Sequence, residues 1–148
     1  MVLYKALFRE PLQAKEVYEP TTVQEAYMAV FYSIVFADDE RTEEELAALK
    51  QVILSLRAFE GEDDVYYLKK IRELAQIYPL KSLLTGGLKF IDPSQRAQLF
   101  CFCTELVVAD DKITEEEKQI LNYIADHSDL SPSLANNIIE VMLIRMGK

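Results

Sequence analysis

Glycine and proline are scarce, four and five residues in a chain of 148. With so few breakers, and with little period-two alternation of apolar and polar residues, strand signals are nearly absent. Histidine occurs once, as His127. No Glu-x-x-His pair accompanies it, which excludes a ferritin-like di-iron centre; it reads as a surface residue beside a helix end. The two cysteines, Cys101 and Cys103, stand too close in sequence for a good disulfide, and no second ligand lies at zinc spacing. They read as small buried hydrophobes. Nucleophilic catalysis needs a histidine or another positioned base near a Ser or Cys, and nothing in the sequence nominates such a pair, so the chain reads as non-enzymatic. The Gly86-Gly87 pair is too short a motif for a phosphate loop.

Positive charge is also in short supply. Lys and Arg number 16 against 25 Asp and Glu, a formal net charge of −9. Nucleic-acid binding needs a cationic surface that displaces counterions, and an anionic membrane repels an acidic chain, so neither partner is expected. The apolar segments fall well short of the roughly 20 residues that span a bilayer. The opening MVLYKALFREPLQ has no apolar core or cleavage site of a secretory signal. A reduced, cytoplasmic, soluble protein is the expectation.

What is abundant is helix signal. Half of the residues are hydrophobic and 28% are charged, and a chain of this length buries about 70% of its unfolded surface. Residues 1–21, broken by Pro11, read as a short helix and strap. Thr22 with Glu25 forms a capping box at the start of a helix whose apolar residues lie on nearly every face, which predicts a central buried helix. Thr42 caps the next helix, with Leu46, Leu49, Ile53 and Leu56 as its apolar stripe. Glu60, Glu62, Asp63 and Asp64 mark an acidic, solvated turn. A helix over 65–77 follows, with Leu68, Ile71, Leu74 and Ala75 inward, ended by Pro79. Residues 80–91 read as a weaker helix loosened by Gly86 and Gly87. Asp92 and Pro93 then start another helix that is apolar nearly all round. Thr114 caps a helix with Ile120, Leu121 and Ile124 inward, and Ser131 with Pro132 begins the last. The fold class is all-α, a single domain of about seven helices.

Within this pattern one sentence is written twice. Residues 35–45 align without a gap on residues 107–117, with eight identities in eleven positions. Each copy is a buried helix, an acidic loop (ADDER or ADDKI) and a capped amphipathic helix. The repeat units run over 22–56 and 93–127, which predicts an internally duplicated helix–loop–helix core with a pseudo-twofold four-helix centre. Asp38 and Asp110 fall at the end of the buried helix, and Asp39 and Asp111 in the exit turn. Glu45 and Glu117 lie one turn before Leu49 and Leu121 and so share the inward side; Glu44 and Glu116 sit slightly further round. The Asp pair and the third Glu of each unit would converge across the loop, and hard oxygens of that number and charge suit calcium or magnesium. The other reading is capping alone, because T-E-E-E is a good helix start and acids there complement the dipole. Two acids at a helix exit oppose the dipole, however, and keeping them in both copies points to a functional reason. The loop is not an EF-hand, since the glycine at position six and the glutamate at position twelve are missing.

A buried helix, then ADG-x-V-[ST]-x-E-E, then an amphipathic helix, twice over, resembles the TerB-like (tellurite-resistance) domain family, across residues 22–148. The resemblance implies an all-helical, duplicated domain whose acidic loops bind a divalent metal, associated with stress responses. The family's first Asp falls on Asp38 and Asp110, and its helix-start acids on Glu44, Glu45, Glu116 and Glu117. Its glycine is replaced by Asp39 and Asp111. The hydrophobic position is kept as Ile113, but the first copy has Arg41, whose charge would compete with a cation there and so favours the second loop. The expected function is a non-enzymatic binding or regulatory domain with two cation-binding acidic loops. The rival is a metal-free protein-interaction module whose acidic surface docks a basic partner protein.

Overall fold

The computed structural model describes residues 17–37, 42–109 and 113–148. Among these residues there are seven α-helices and no strand: α1 (Val23–Val35), α2 (Glu43–Ser55), α3 (Asp64–Leu74), α4 (Leu80–Phe90), α5 (Arg96–Val107), α6 (Glu115–Asp126) and α7 (Pro132–Arg145). Short 3-10 turns precede α3 and α5, at Arg57–Phe59 and Pro93–Gln95. The helix expected before Pro20 lies outside the described residues; Val17 to Pro20 has no regular structure, and Tyr18 within it is buried.

Most helices begin where a short polar side chain relieves their unpaired amides. Thr22, Thr42, Asp63, Thr114 and Ser131 each accept a hydrogen bond from a first-turn N–H of the helix they precede. Asp92 and Pro93 start the 3-10 turn rather than α5 itself, with Asp92 accepting from the Ser94 N–H. No helix among the described residues is long and apolar enough to cross a membrane.

Helix α1 is buried on every face from Glu25 onward, as its uninterrupted apolar sequence predicts. It packs against α2, α3, α4, α5 and α6. Helix α5 packs against α1, α2, α6 and α7, but Cys101, Phe102 and Glu105 stay half-exposed, so it buries one broad side instead of all its faces. Cys103 is buried and Cys101 only partly; both are free thiols. Two hydroxyls inside these helices are satisfied within their own turn, Ser33 by the Ala29 carbonyl and Thr104 by that of Phe100, each at 2.8 Å.

Three further details differ from the sequence expectation. Leu46 is 43% exposed, because the inward register of α2 runs through Glu45, Leu49, Val52 and Ile53, and Leu46 points about 100° away. Helix α3 ends at Leu74, so Pro79 sits at the start of α4 and not at the end of α3. Gly86 and Gly87 do not loosen α4; they let it approach α1 and the strap. A Cβ on Gly87 would lie 2.7 Å from the Ala26 carbonyl oxygen and 2.9 Å from Val30 Cγ2, and one on Gly86 would lie 2.3 Å from the Tyr18 carbonyl oxygen. Gly87→Ala is therefore expected to lower stability by about 1–3 kcal/mol through overpacking, although alanine is about 1 kcal/mol the better helix former. Urea denaturation of the two proteins measures the difference, and a more stable variant would contradict the close approach.

Candidate functional site

The two acidic helix starts are built alike. Thr42 Oγ1 accepts from the Glu45 N–H at 3.1 Å, and the Thr42 hydroxyl lies 3.3 Å from Glu45 Oε1. Thr114 Oγ1 accepts from the Glu117 N–H at 3.1 Å, while Glu117 Oε1 receives the Thr114 N–H at 2.9 Å and its hydroxyl at 3.2 Å. The second unit thus has a complete capping box. Glu45 is 5% exposed and Glu117 2%, so both third glutamates face inward. Glu116 is half-buried, and Glu43, Glu44 and Glu115 are exposed. Each of these helix starts therefore holds a buried carboxylate against its own cap.

Asp38, Asp39, Asp110 and Asp111, with Arg41, lie outside the described residues. Among the described residues, no three His, Cys, Asp or Glu side chains gather closely enough to hold a metal ion, so a cation site would need those aspartates. The donors that are described fit a hard cation in kind, being carboxylate oxygens. At the end of α5, Lys148 donates its ammonium to the Val108 carbonyl, placing a positive charge at a helix C-terminus just before the second loop, where the dipole favours it.

A second charged cluster escaped the sequence reading. Glu25 is 2% exposed, and its side chain does not complete the box with Thr22. Its Oε2 accepts from the Tyr18 hydroxyl, and its Oε1 accepts from the Thr21 hydroxyl at 2.8 Å and from Lys70 Nζ at 2.7 Å. Tyr18 in turn packs its ring on Tyr78, with centroids 5.3 Å apart. The network ties the strap, α1 and α3 together. Burial pushes the Glu25 carboxyl up, but the hydrogen bonds from Lys70, Tyr18 and Thr21 outweigh it, and the group ends below the usual carboxylate range. Lys70 is raised, chiefly by its bond to Glu25. Nothing in helical periodicity pairs residues 45 positions apart, so only the tertiary structure joins Glu25 to Lys70.

A carboxylate whose folded pKa is depressed contributes stability above its unfolded pKa and loses that contribution as pH falls through the folded value. Glu25→Gln should cost about 2 kcal/mol at neutral pH, the scale of hydrogen bonds to a buried charge; Lys70, one-third exposed, can turn to water. The variant should lose less stability than the parent on acidification. Urea midpoints from pH 7 downward test this, and parallel curves would contradict it.

Among curated proteins and among solved structures, nothing matches the chain. The family model described as tellurite resistance protein TerB matches residues 24–140. The match runs from the first residues of α1 into α7 and takes in both acidic loops, well over half of the sequence, and by it this all-helical chain belongs to the TerB family.

Proposed function

We propose that the protein is a non-enzymatic, tellurite-resistance-like binding domain whose two acidic loops hold a divalent cation, calcium or magnesium. The observation that carries this reading is the burial of Glu45 and Glu117, each turned inward at the helix start that follows an Asp pair. The matching caps and the matching loop sequences support an internal duplication. Asp38, Asp39, Glu44 and Glu45 would form one set, and Asp110, Asp111, Glu116 and Glu117 the other. A bound ion would neutralise the carboxylates at the exits of α1 and α5 and stiffen each helix–loop–helix unit, as a structural cofactor or a sensor.

A second reading rests on a different surface. A groove of about 430 Å³ runs beside the turn before α3, lined among others by Leu56, Phe59, the three acids Glu60, Glu62 and Asp64, and the single basic residue Arg57, and Leu54 at its edge is 69% exposed. Apolar side chains rimmed by carboxylates suit a basic, amphipathic segment of a partner protein. On that reading the loops are capped helix starts and added calcium changes nothing.

Thermal unfolding of metal-stripped protein, titrated with calcium and magnesium, separates the two. An ion bound only by the folded state adds about 2.7 kcal/mol at a hundred times its Kd. A saturable rise in Tm that is lost in Asp110→Asn, with Asp38→Asn alongside, is the expected result. A flat response to both ions, with both variants as stable as the parent, would contradict cation binding.

A further inference from the structure

We propose that a cleft between α4 and α6, closed by the first residue of α5, binds a small flat organic anion, an aromatic carboxylate or phosphate ester. Its volume is about 230 Å³, and its lining is Thr85, Leu88, Lys89, Arg96, Tyr123 and His127. Three of these are basic side chains and none is acidic, in a chain whose net charge is −9. Local charge here runs against the charge of the whole, which is what a site for an anion requires.

Arg96 carries the argument furthest. One end of its guanidinium is held, with Nη2 donating to the Leu88 carbonyl oxygen at 3.2 Å. Its Nε is buried, and no described residue accepts from it. That nitrogen is closed to solvent and so to any ligand, and an anion in the cleft would instead meet the rest of the Arg96 guanidinium, which lines it and carries the same delocalised charge. One competitor is Asp92, whose carboxyl feels the Arg96 charge, but that side chain is solvent-exposed. It already accepts from the Ser94 N–H at 2.9 Å and the Ser94 hydroxyl at 2.7 Å. Lys89, on the same helix as Leu88, adds a second positive charge to the lining.

The opposite wall selects the rest of the ligand. The Tyr123 and His127 rings stack with centroids 4.0 Å apart and planes 19° from parallel. His127 is fixed by its Nδ1, 2.9 Å from the Tyr123 carbonyl oxygen; a carbonyl only accepts, so Nδ1 carries the proton. Tyr123 is anchored to α4 by a 2.8 Å hydrogen bond between its hydroxyl and that of Thr85. Leu88 and Tyr123 are buried behind this wall, 3% and 6% exposed, so the His127 ring presents most of it, and the volume lies below that of drug-sized sites, which begin at roughly 300 Å³. A single aromatic ring bearing a carboxylate or phosphate matches that size and that division of polarity. The cleft shares no residue with the acidic loops, so its occupancy does not depend on the cation reading.

The test is NMR titration of the full-length chain with benzoate, phenyl phosphate, inorganic phosphate and, as a neutral control, benzyl alcohol. Benzoate, phenyl phosphate or both should shift the signals of Leu88, Tyr123 and His127 saturably; which of them binds more tightly identifies the head group. Lys89→Gln, at an exposed site, should weaken binding about tenfold, as expected for a lost charge contact, with Tm unchanged. Arg96→Gln should weaken it further. The proposal is overturned if neither aromatic anion shifts these signals, or if benzyl alcohol or inorganic phosphate binds as tightly as they do. Unchanged affinity in Lys89→Gln would overturn it as well.

Discussion

Everything in this fold is arranged around a helix that has no solvent side. Because α1 is buried from Glu25 to Val35, its neighbours must cover it from all directions. Its backbone hydrogen bonds are satisfied internally and its buried Ser33 turns back on its own carbonyls. The tightest of those contacts is with α4, and two consecutive glycines make it possible. The one charged group that α1 carries inward, Glu25, is matched by donors from the strap, from Thr21 and from α3, which is the condition under which a buried carboxylate is tolerated.

The acidic loops follow from the same constraint. A helix buried to its last turn must release the chain at the edge of the core, and the next helix must start there with its amides capped. Thr42 and Thr114 provide the caps, and the glutamate three residues later is drawn inward with them. Helix α6 links the second acidic helix start to the cleft, with Glu117 in its first turn, Tyr123 in its last and His127 as its C-cap. At 1.5 Å per residue, Glu117 and His127 stand about 15 Å apart along it, so the acidic helix start and the cleft are separate places on the surface.

The helices and their starts were legible in the sequence because they depend on local rules. A threonine before a run of glutamates, or Ser131 before Pro132, specifies a helix start without reference to the rest of the chain. The inward position of Glu45 and Glu117 follows from the same periodicity, whereas Leu46 belongs to the apolar stripe by hydrophobicity alone and the register of α2 turns it outward. The features that were missed are tertiary. Gly86 and Gly87 weaken an isolated helix, and only the proximity of Ala26, Val30 and Tyr18 gives them a use. Glu25 resembles an ordinary capping partner until Lys70 and Tyr18 are brought to it. His127 is exposed, as expected, and its i, i+4 spacing to Tyr123 allows the stack, but nothing in the spacing brings Arg96 beside the pair. The four loop aspartates, which the sequence marks most plainly, lie outside the described residues.

Manganese, a paramagnetic stand-in for calcium or magnesium, tests the central claim most directly when added in small amounts to the isotopically labelled chain. The account predicts that amide signals of residues 38–45 and 110–117 broaden first, and that excess calcium or magnesium restores them. Broadening spread over every exposed carboxylate, with Glu60, Glu62, Asp63 and Asp64 affected as strongly as the two loops, would contradict it.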